Sequence, residues 1–464
     1  MRYAHTVEQV RAAEAELMAR LPPGALMQRA ATALAVACAQ RLTRVYASPV
    51  VLLVGRGDNG ADALWAGAML QRRGAVVQAV LTGEPRAGAL AAFRTAGGRV
   101  VDEVGPGLVV DGLVGIGGTG ALREQAAALA AEVRGRDVVA VDLPSGVDAD
   151  TGEIAGTAVR AALTVTFGTL KPGLLLAREH VGELRLVDIG LTLPPAPVEV
   201  LEDGDVERLL PRPQRGDDKY TRGVVGVAAG SQTYTGAAVL SVGAAVRAGA
   251  GMVRFAGAPH AAGQVRSHWP EAVVSELEGA DVVAAGRVQA WVVGPGLGTD
   301  ARAAETLEAV LAEDVPVLVD ADALTIAAQH PEWLSRRTAP TLLTPHDREL
   351  ARFGRKVTTD RIGSARRLAR ELGVTVLLKG DATVVTGPEG PARVNATGTA
   401  ALATAGTGDV LAGAAGALLA QGLDPRDAGS VAAHLHGLAG SRAAGGGTTS
   451  ASAVLAHWPA RLEA

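Results

Sequence analysis

Thr404-Ala-Gly-Thr-Gly-Asp-Val-Leu-Ala-Gly413 decides how the chain is read. Gly406 and Gly408 allow a tight turn and a close backbone approach to a ligand. Val410 to Gln421 is Ala/Leu-rich and helical in character, and Gly422 and Pro425 end that helix. A helix start preceded by glycines leaves several N–H groups unpaired at the positive end of the helix dipole. Such a cradle suits a phosphate or a developing negative charge. Asp409 is the odd member, because a carboxylate there repels a static phosphate. It fits a base that takes a proton from a hydroxyl attacking a phosphoryl group, with the turn steadying the charge in transfer. The competing reading is a plain helix cap.

At 464 residues the chain exceeds the ~250–300 at which single cores stop growing, so more than one domain is expected. Hydrophobic residues make up 48% but aromatics only 3%, so the core must be built from Ala, Val and Leu. The formal net charge of −4 offers no basic footprint for nucleic acid. Cys38 is the single cysteine, which excludes a disulfide framework and a thiolate metal cluster. Met1–Gln9 lacks a basic-then-apolar leader pattern, and no apolar run reaches ~18 residues. A soluble cytoplasmic homo-oligomer acting on small molecules, without a membrane or nucleic-acid partner, is the expectation.

The first half alternates strand-like and helical stretches. Val50–Val54 runs into Gly55-Arg-Gly-Asp-Asn-Gly-Ala-Asp62 and then a helix to Arg73. Val76–Leu81, Leu108–Val114, Val138–Leu143 and Leu163–Phe167 are further strands. The pattern predicts a mostly parallel sheet covered by helices, with ligands at the carboxyl ends of strands. Three polar loops fall there: Asp58–Asp62, Asp111–Gly120 and Asp142–Asp148. Turn chemistry explains each alone; together they suggest one shared site.

These loops resemble the NAD(P)H-hydrate epimerase family of the YjeF N-terminal type. Gly55–Ala63 stands where that family has G-x-G-N-N-G-G-D-G, Asp111 to Gly117 matches D-x-x-x-G-x-G, and Asp142 to Gly146 matches D-x-P-S-G. The resemblance implies a potassium ion held by Asn59, Asp111 and Ser145. It also implies a hydrated-nicotinamide site lined by Asp58, Asn59, Gly60, Ala61, Asp62, Gly115, Ile116, Gly117, Gly118, Thr119, Gly120, Ala121 and Asp142. Asp142 is the candidate proton-transfer group, and Lys171 is either its helper or a solvated surface lysine. Three positions depart from the family pattern. Asp58 adds a negative charge near phosphates, and Ala61 and Ala63 replace glycines. The Ala61 methyl is expected to crowd the ligand or to conflict with a positive φ. A half that only braces its neighbour is the alternative.

Leu193-Pro-Pro-Ala-Pro197 is a stiff junction, and the domain boundary is expected near residue 200. The second half carries six motifs in order: Gly294-Pro-Gly-Leu-Gly298, Val319-Asp-Ala-Asp-Ala-Leu324, Leu343-Thr-Pro-His-Asp-Arg-Glu349, Leu378-Lys-Gly-Asp-Ala-Thr383, Asn395-Ala-Thr-Gly398 and the opening stretch. This half resembles the ribokinase-like superfamily and, within it, the ADP-dependent NAD(P)H-hydrate dehydratases. The fold expected is therefore α/β, a Rossmann-like layered domain over residues 1–200 followed by a ribokinase-like domain over 201–464. The resemblance sets Ala237, Gly296 and His346 against the substrate, NADHX or NADPHX. It sets Lys379, Gly380, Asp381, Ala382, Thr383, Gly406 and Gly408 on the nucleotide, and makes Asp409 the base. ADP, Mg2+ and K+ are the implied cofactors. Two rivals remain at this stage, a ribokinase-like kinase of a vitamin precursor and a non-catalytic nucleotide-binding scaffold. Asp320 and Asp322 are either metal contacts or ordinary strand-end turn residues.

Overall fold

The computed structural model describes residues 1–459. The chain forms two compact units, Tyr3–Val198 and a second made of Met1–Arg2 with the residues from Glu199 onward. In the second unit the Met1 ammonium lies 2.7 Å from Asp205.

The N-terminal unit is built on seven parallel strands. Their order is Arg99–Val100, Val76–Leu81, Pro49–Val54, Leu108–Gly112, Val138–Val141, Leu163–Phe167, Glu183–Val187. Central strands such as Val50–Val54 are buried throughout, as a sheet covered on both faces requires. Register sets the site: Leu53 pairs with Asp111, and Asp111 with Ala140. The strands thus end together, so Gly55, Leu113 and Asp142 leave the sheet at one edge.

One expectation changes here. Asp58–Asp62 is not a loop but the first turn of the helix Asp58–Arg72, with Gly57 as its N-cap. Ala61 therefore has helical backbone, and its N–H is spent on Gly57 O at 3.2 Å. Its methyl is fully buried in the apolar core with Leu34, Leu64 and Val141. Neither the expected crowding nor a conflict at positive φ arises, and Ala61 faces the core instead of a ligand. Gly60 is the residue that must stay bare, since a Cβ there would meet the Gly55 carbonyl oxygen at 2.2 Å.

Nine strands of the C-terminal unit run in the order Ala392–Val394, Val384–Thr386, Thr375–Leu378, Thr341–Leu343, Val317–Val319, Ala290–Val293, Val224–Ala228, Met252–Ala256, Val273–Ser275. All neighbours are parallel except where Val384–Thr386 turns back against its two partners. Val293, Val319, Leu343 and Val376 are aligned by register, so Gly294, Asp320 and Thr344 emerge on one edge, joined there by Lys379. The helix Thr407–Ala420 packs along this sheet, and the hydroxyl of Ser241, from the helix Thr235–Arg247, donates to the Asp409 carbonyl at 3.2 Å.

Candidate active sites

Asp409 occupies the third position of its helix, and the N-cap is Gly406 at φ +87°, with no side-chain cap. Asp409 is therefore not the N-cap residue but an acid of the first turn. A left-handed backbone at Gly406 explains the glycine there. The first intrahelical bond runs from Val410 N to Gly406 O, so the N–H groups of Thr407, Gly408 and Asp409 precede the ladder. The Thr407 hydroxyl ties the turn to the carbonyls of Leu402 and Thr404 at 2.8 and 2.9 Å. Ala403–Ala405 are exposed.

Burial raises the Asp409 carboxyl to about 7, Asp320 and Asp322 push in the same direction, and Lys379 opposes them. Lys379 Nζ sits 2.8 Å from Asp320 Oδ1 and 3.6 Å from Glu349 Oε2, and 3.6 Å from where a Gly408 side chain would begin. Burial works to lower its pKa, but the Asp320 and Glu349 charges outweigh it and the net direction is upward. Lys379 thus enters as a fixed ammonium beside the glycine turn. Asp320, read from sequence as a metal contact or a turn residue, is the partner of that lysine, and Asp322 accepts from Gly298 N at 2.9 Å.

The other predicted residues gather around this edge. Gly296 stacks directly on Ala237: a Cβ added to the glycine would reach the Ala237 methyl at 2.8 Å. His346 caps the helix Asp347–Arg352, its Nδ1 accepting from Arg348 N and Glu349 N at 3.1 Å each. In the neutral ring this places the proton on Nε2, which faces Glu349 Oε1 at 3.6 Å. Gly380 and Asp381 are exposed, whereas Ala382 and Thr383 are buried, with Thr383 donating to Gly380 O at 3.2 Å. No motif signalled that Glu349 would help to hold Lys379.

In the N-terminal unit a cavity of about 1530 Å³ opens at the strand ends. Asp58, Asn59, Asp62, Gly115–Ala121 and Asp142 line it, as do Arg11, Glu14, Arg56, Arg86 and Arg123, which no motif announced. Asp142 has φ +66°, an uncommon backbone for a residue with a side chain. Its Oδ1 accepts from Thr166 Oγ1 at 3.0 Å, from Phe167 N at 3.2 Å and from Lys171 Nζ. Lys171 is 1% exposed, which removes the surface-lysine reading. The unexpected charge on Asp58 is met by Arg86 Nη2 at 2.6 Å.

The three residues implied for potassium are all buried. Asp111 accepts from Ser145 Oγ at 2.6 Å, Ser145 N at 2.8 Å and Leu113 N at 3.3 Å. The Asn59 amide donates to Val141 O, and its Oδ1 lies 2.3 Å from where a Gly115 side chain would start. Burial raises the Asp111 carboxyl, and no cationic side chain pairs with it among the described residues. A buried carboxylate among hard oxygens, without a counter-charge, fits a monovalent cation.

Fold and sites together define a two-unit α/β protein with charged and glycine-rich groups gathered at the strand ends of each unit. The NAD(P)H-hydrate dehydratase family matches residues 225–457, and the YjeF-related protein N-terminus family matches residues 23–173. The bifunctional NAD(P)H-hydrate repair enzyme Nnr of Mycobacterium leprae is 51% identical, covering 98% of each chain. That of Mycobacterium tuberculosis is 53% identical over 92% of this chain and 91% of its own. A ribokinase-like superfamily protein of Enterococcus faecalis is 26% identical with a TM-score of 0.52, covering 58% of this chain and 96% of that one. The chain belongs to the family of bifunctional NAD(P)H-hydrate repair enzymes.

Proposed function

We propose that the C-terminal unit dehydrates NADHX and NADPHX at the expense of ADP, and that the N-terminal unit interconverts their C6 epimers. One observation carries the first activity: a carboxyl raised to about 7 stands in the first turn of a glycine-capped helix, beside a half-buried ammonium. A C6 hydroxyl is a poor leaving group, and phosphorylation makes it a good one. Asp409 takes the hydroxyl proton as the oxygen attacks the terminal phosphorus of ADP, and AMP departs. The N–H groups of the Gly406–Asp409 turn and the Lys379 ammonium hold the phosphoryl charge. The lone pair of N1 then expels phosphate from C6, and loss of a C5 proton restores the ring double bond.

Magnesium, carried on the nucleotide phosphates, supplies further charge neutralisation. Asn59, Asp111 and Ser145 would hold potassium, which would supply a fixed positive charge at the N-terminal cavity. Among the described residues no helix is long and apolar enough to cross a membrane.

Mixed epimers of prepared NADHX, supplied with ADP and magnesium, are expected to regain full 340 nm absorbance. A flat trace overturns the dehydratase assignment. A fast rise that stops at the fraction of one epimer overturns the epimerase assignment.

A further inference from the structure

The N-terminal cavity contains a second carboxyl whose surroundings are opposite to those of Asp142. Asp142 is paired with the Lys171 ammonium and receives two further donors on the same oxygen. Asp62, one turn into the helix Asp58–Arg72, lines the same cavity, is 7% exposed, and its Oδ1 is buried with no hydrogen-bond partner. An unpaired buried carboxylate is costly, and the group escapes that cost by keeping its proton. Burial and then the charges of Asp142, Asp58 and Glu14 raise Asp62 well above the usual carboxylate range, against a smaller opposing effect of Arg86. Asp58 comes from its own helix, Glu14 from the helix Val7–Met18, Asp142 with Lys171 from the strand ends, and Arg86, like Arg11, Arg56 and Arg123, from the cavity lining.

We infer that Asp62 is a catalytic residue of the N-terminal cavity, the proton donor that works opposite Asp142 in epimerisation. The inference rests on the epimerase reading above and deepens it. C6 of the substrate carries a hydroxyl and the ring nitrogen N1, so it is a hemiaminal carbon. Asp142 removes the hydroxyl proton, the C6–O bond becomes a carbonyl, and the C6–N1 bond breaks with its electron pair moving to N1. Asp62 delivers its proton to that nitrogen. The open chain turns about C5–C6, N1 re-adds to the other face, Asp62 recovers the N1 proton, and Asp142 returns its own to oxygen. Nothing is consumed, and both carboxyls end as they began. Loss of hydroxide from C6 would instead leave an iminium that sheds its C5 proton, which is dehydration and not epimerisation. One carboxyl paired with an ammonium and a second without a hydrogen-bond partner supply what the ring-opening route needs.

The test follows conversion of (6R)- to (6S)-NADHX chromatographically, without ADP, in the full chain and in Asp62→Asn. The variant is expected to lose about 100-fold or more in kcat with KM changed less than threefold, and to lose the alkaline fall of the wild-type pH profile. Because the amide keeps the shape of a carboxyl that holds its proton, the melting temperature is expected to match that of the wild type, which separates chemistry from misfolding. A variant within threefold of wild-type kcat, or one impaired only in KM, overturns the role of Asp62. A wild type no faster than the uncatalysed interconversion overturns the epimerase reading, and this inference with it.

Discussion

Arg86 Nη2 lies 2.6 Å from Asp58 Oδ1, both side chains being more than half exposed at the wall of the N-terminal cavity. The family pattern has a neutral Asn where this chain has Asp58, and the arginine balances the added charge. Arg86→Ala is expected to raise KM for epimerisation severalfold while changing unfolding free energy by no more than ~0.5 kcal/mol, as exposed pairs do. Asp58→Asn added to that variant is expected to restore KM. Steady-state kinetics on the two variants decide it; an unchanged KM in Arg86→Ala would show that the pair has no bearing on substrate.

Ala61→Gly restores the residue of the family motif, yet a loss is expected. Its backbone is helical and its methyl fully buried, so the change is expected to cost about 1–2 kcal/mol from helix entropy and lost packing. Epimerase turnover is expected to stay level. Denaturant unfolding measures the first, and a gain in turnover would reverse the placement of that methyl.

Rising pH acts on Asp409 in opposite senses, favouring its activity as a base and removing its contribution to stability. With its carboxyl at about 7, the fraction able to act as base grows as pH rises through neutrality, so dehydratase kcat/KM is expected to climb and level off above pH ~8. The folded acid holds its proton to higher pH than the unfolded one. Its contribution to stability is therefore intact below pH ~4 and lost as pH rises towards 7. Asp409→Asn is expected to reduce kcat by about 10²–10⁴-fold and to raise the melting temperature at pH 8. Retained turnover in that variant would remove the residue from the chemistry.

Lys379→Met strips the cation from Asp320, which is 2% exposed, and from Glu349. Unmatched buried carboxylates are costly, and a loss of about 3 kcal/mol in unfolding free energy is expected at pH 8, along with a raised KM for ADP. Urea titrations of the variant and the wild type at pH 8 measure the loss, and an unchanged unfolding free energy would show that the lysine does not stabilise these carboxylates.

Potassium is expected to raise the melting temperature of the N-terminal unit when it replaces choline at equal ionic strength. Asp111→Asn is expected to abolish the difference. Equal shifts with either cation would leave Asp111 without its proposed ligand.

Much of this molecule is local, and local features are written in the chain. The apolar runs Val50–Val54 and Val224–Ala228 announce buried parallel strands because their side chains have only core to meet. The glycine turn before Asp409 is legible because a bare, left-handed backbone leaves no other residue type comfortable. Whether Asp58–Asp62 is loop or helix was not legible, since its glycines and acids suit a turn as well as a helix start. Only packing of Gly60 on Gly55 and of Ala61 into the core decides the matter.

What the sequence by itself determined is the order of elements, the two units and the chemical types collected at each strand end. Tertiary structure decided which charges meet: Lys171 with Asp142, Arg86 with Asp58, Lys379 with Asp320 and Glu349. Those partners are separated by 28 to 59 residues. Charge and burial act through space, so the protonation state of a carboxyl depends on neighbours that sheet register brings beside it.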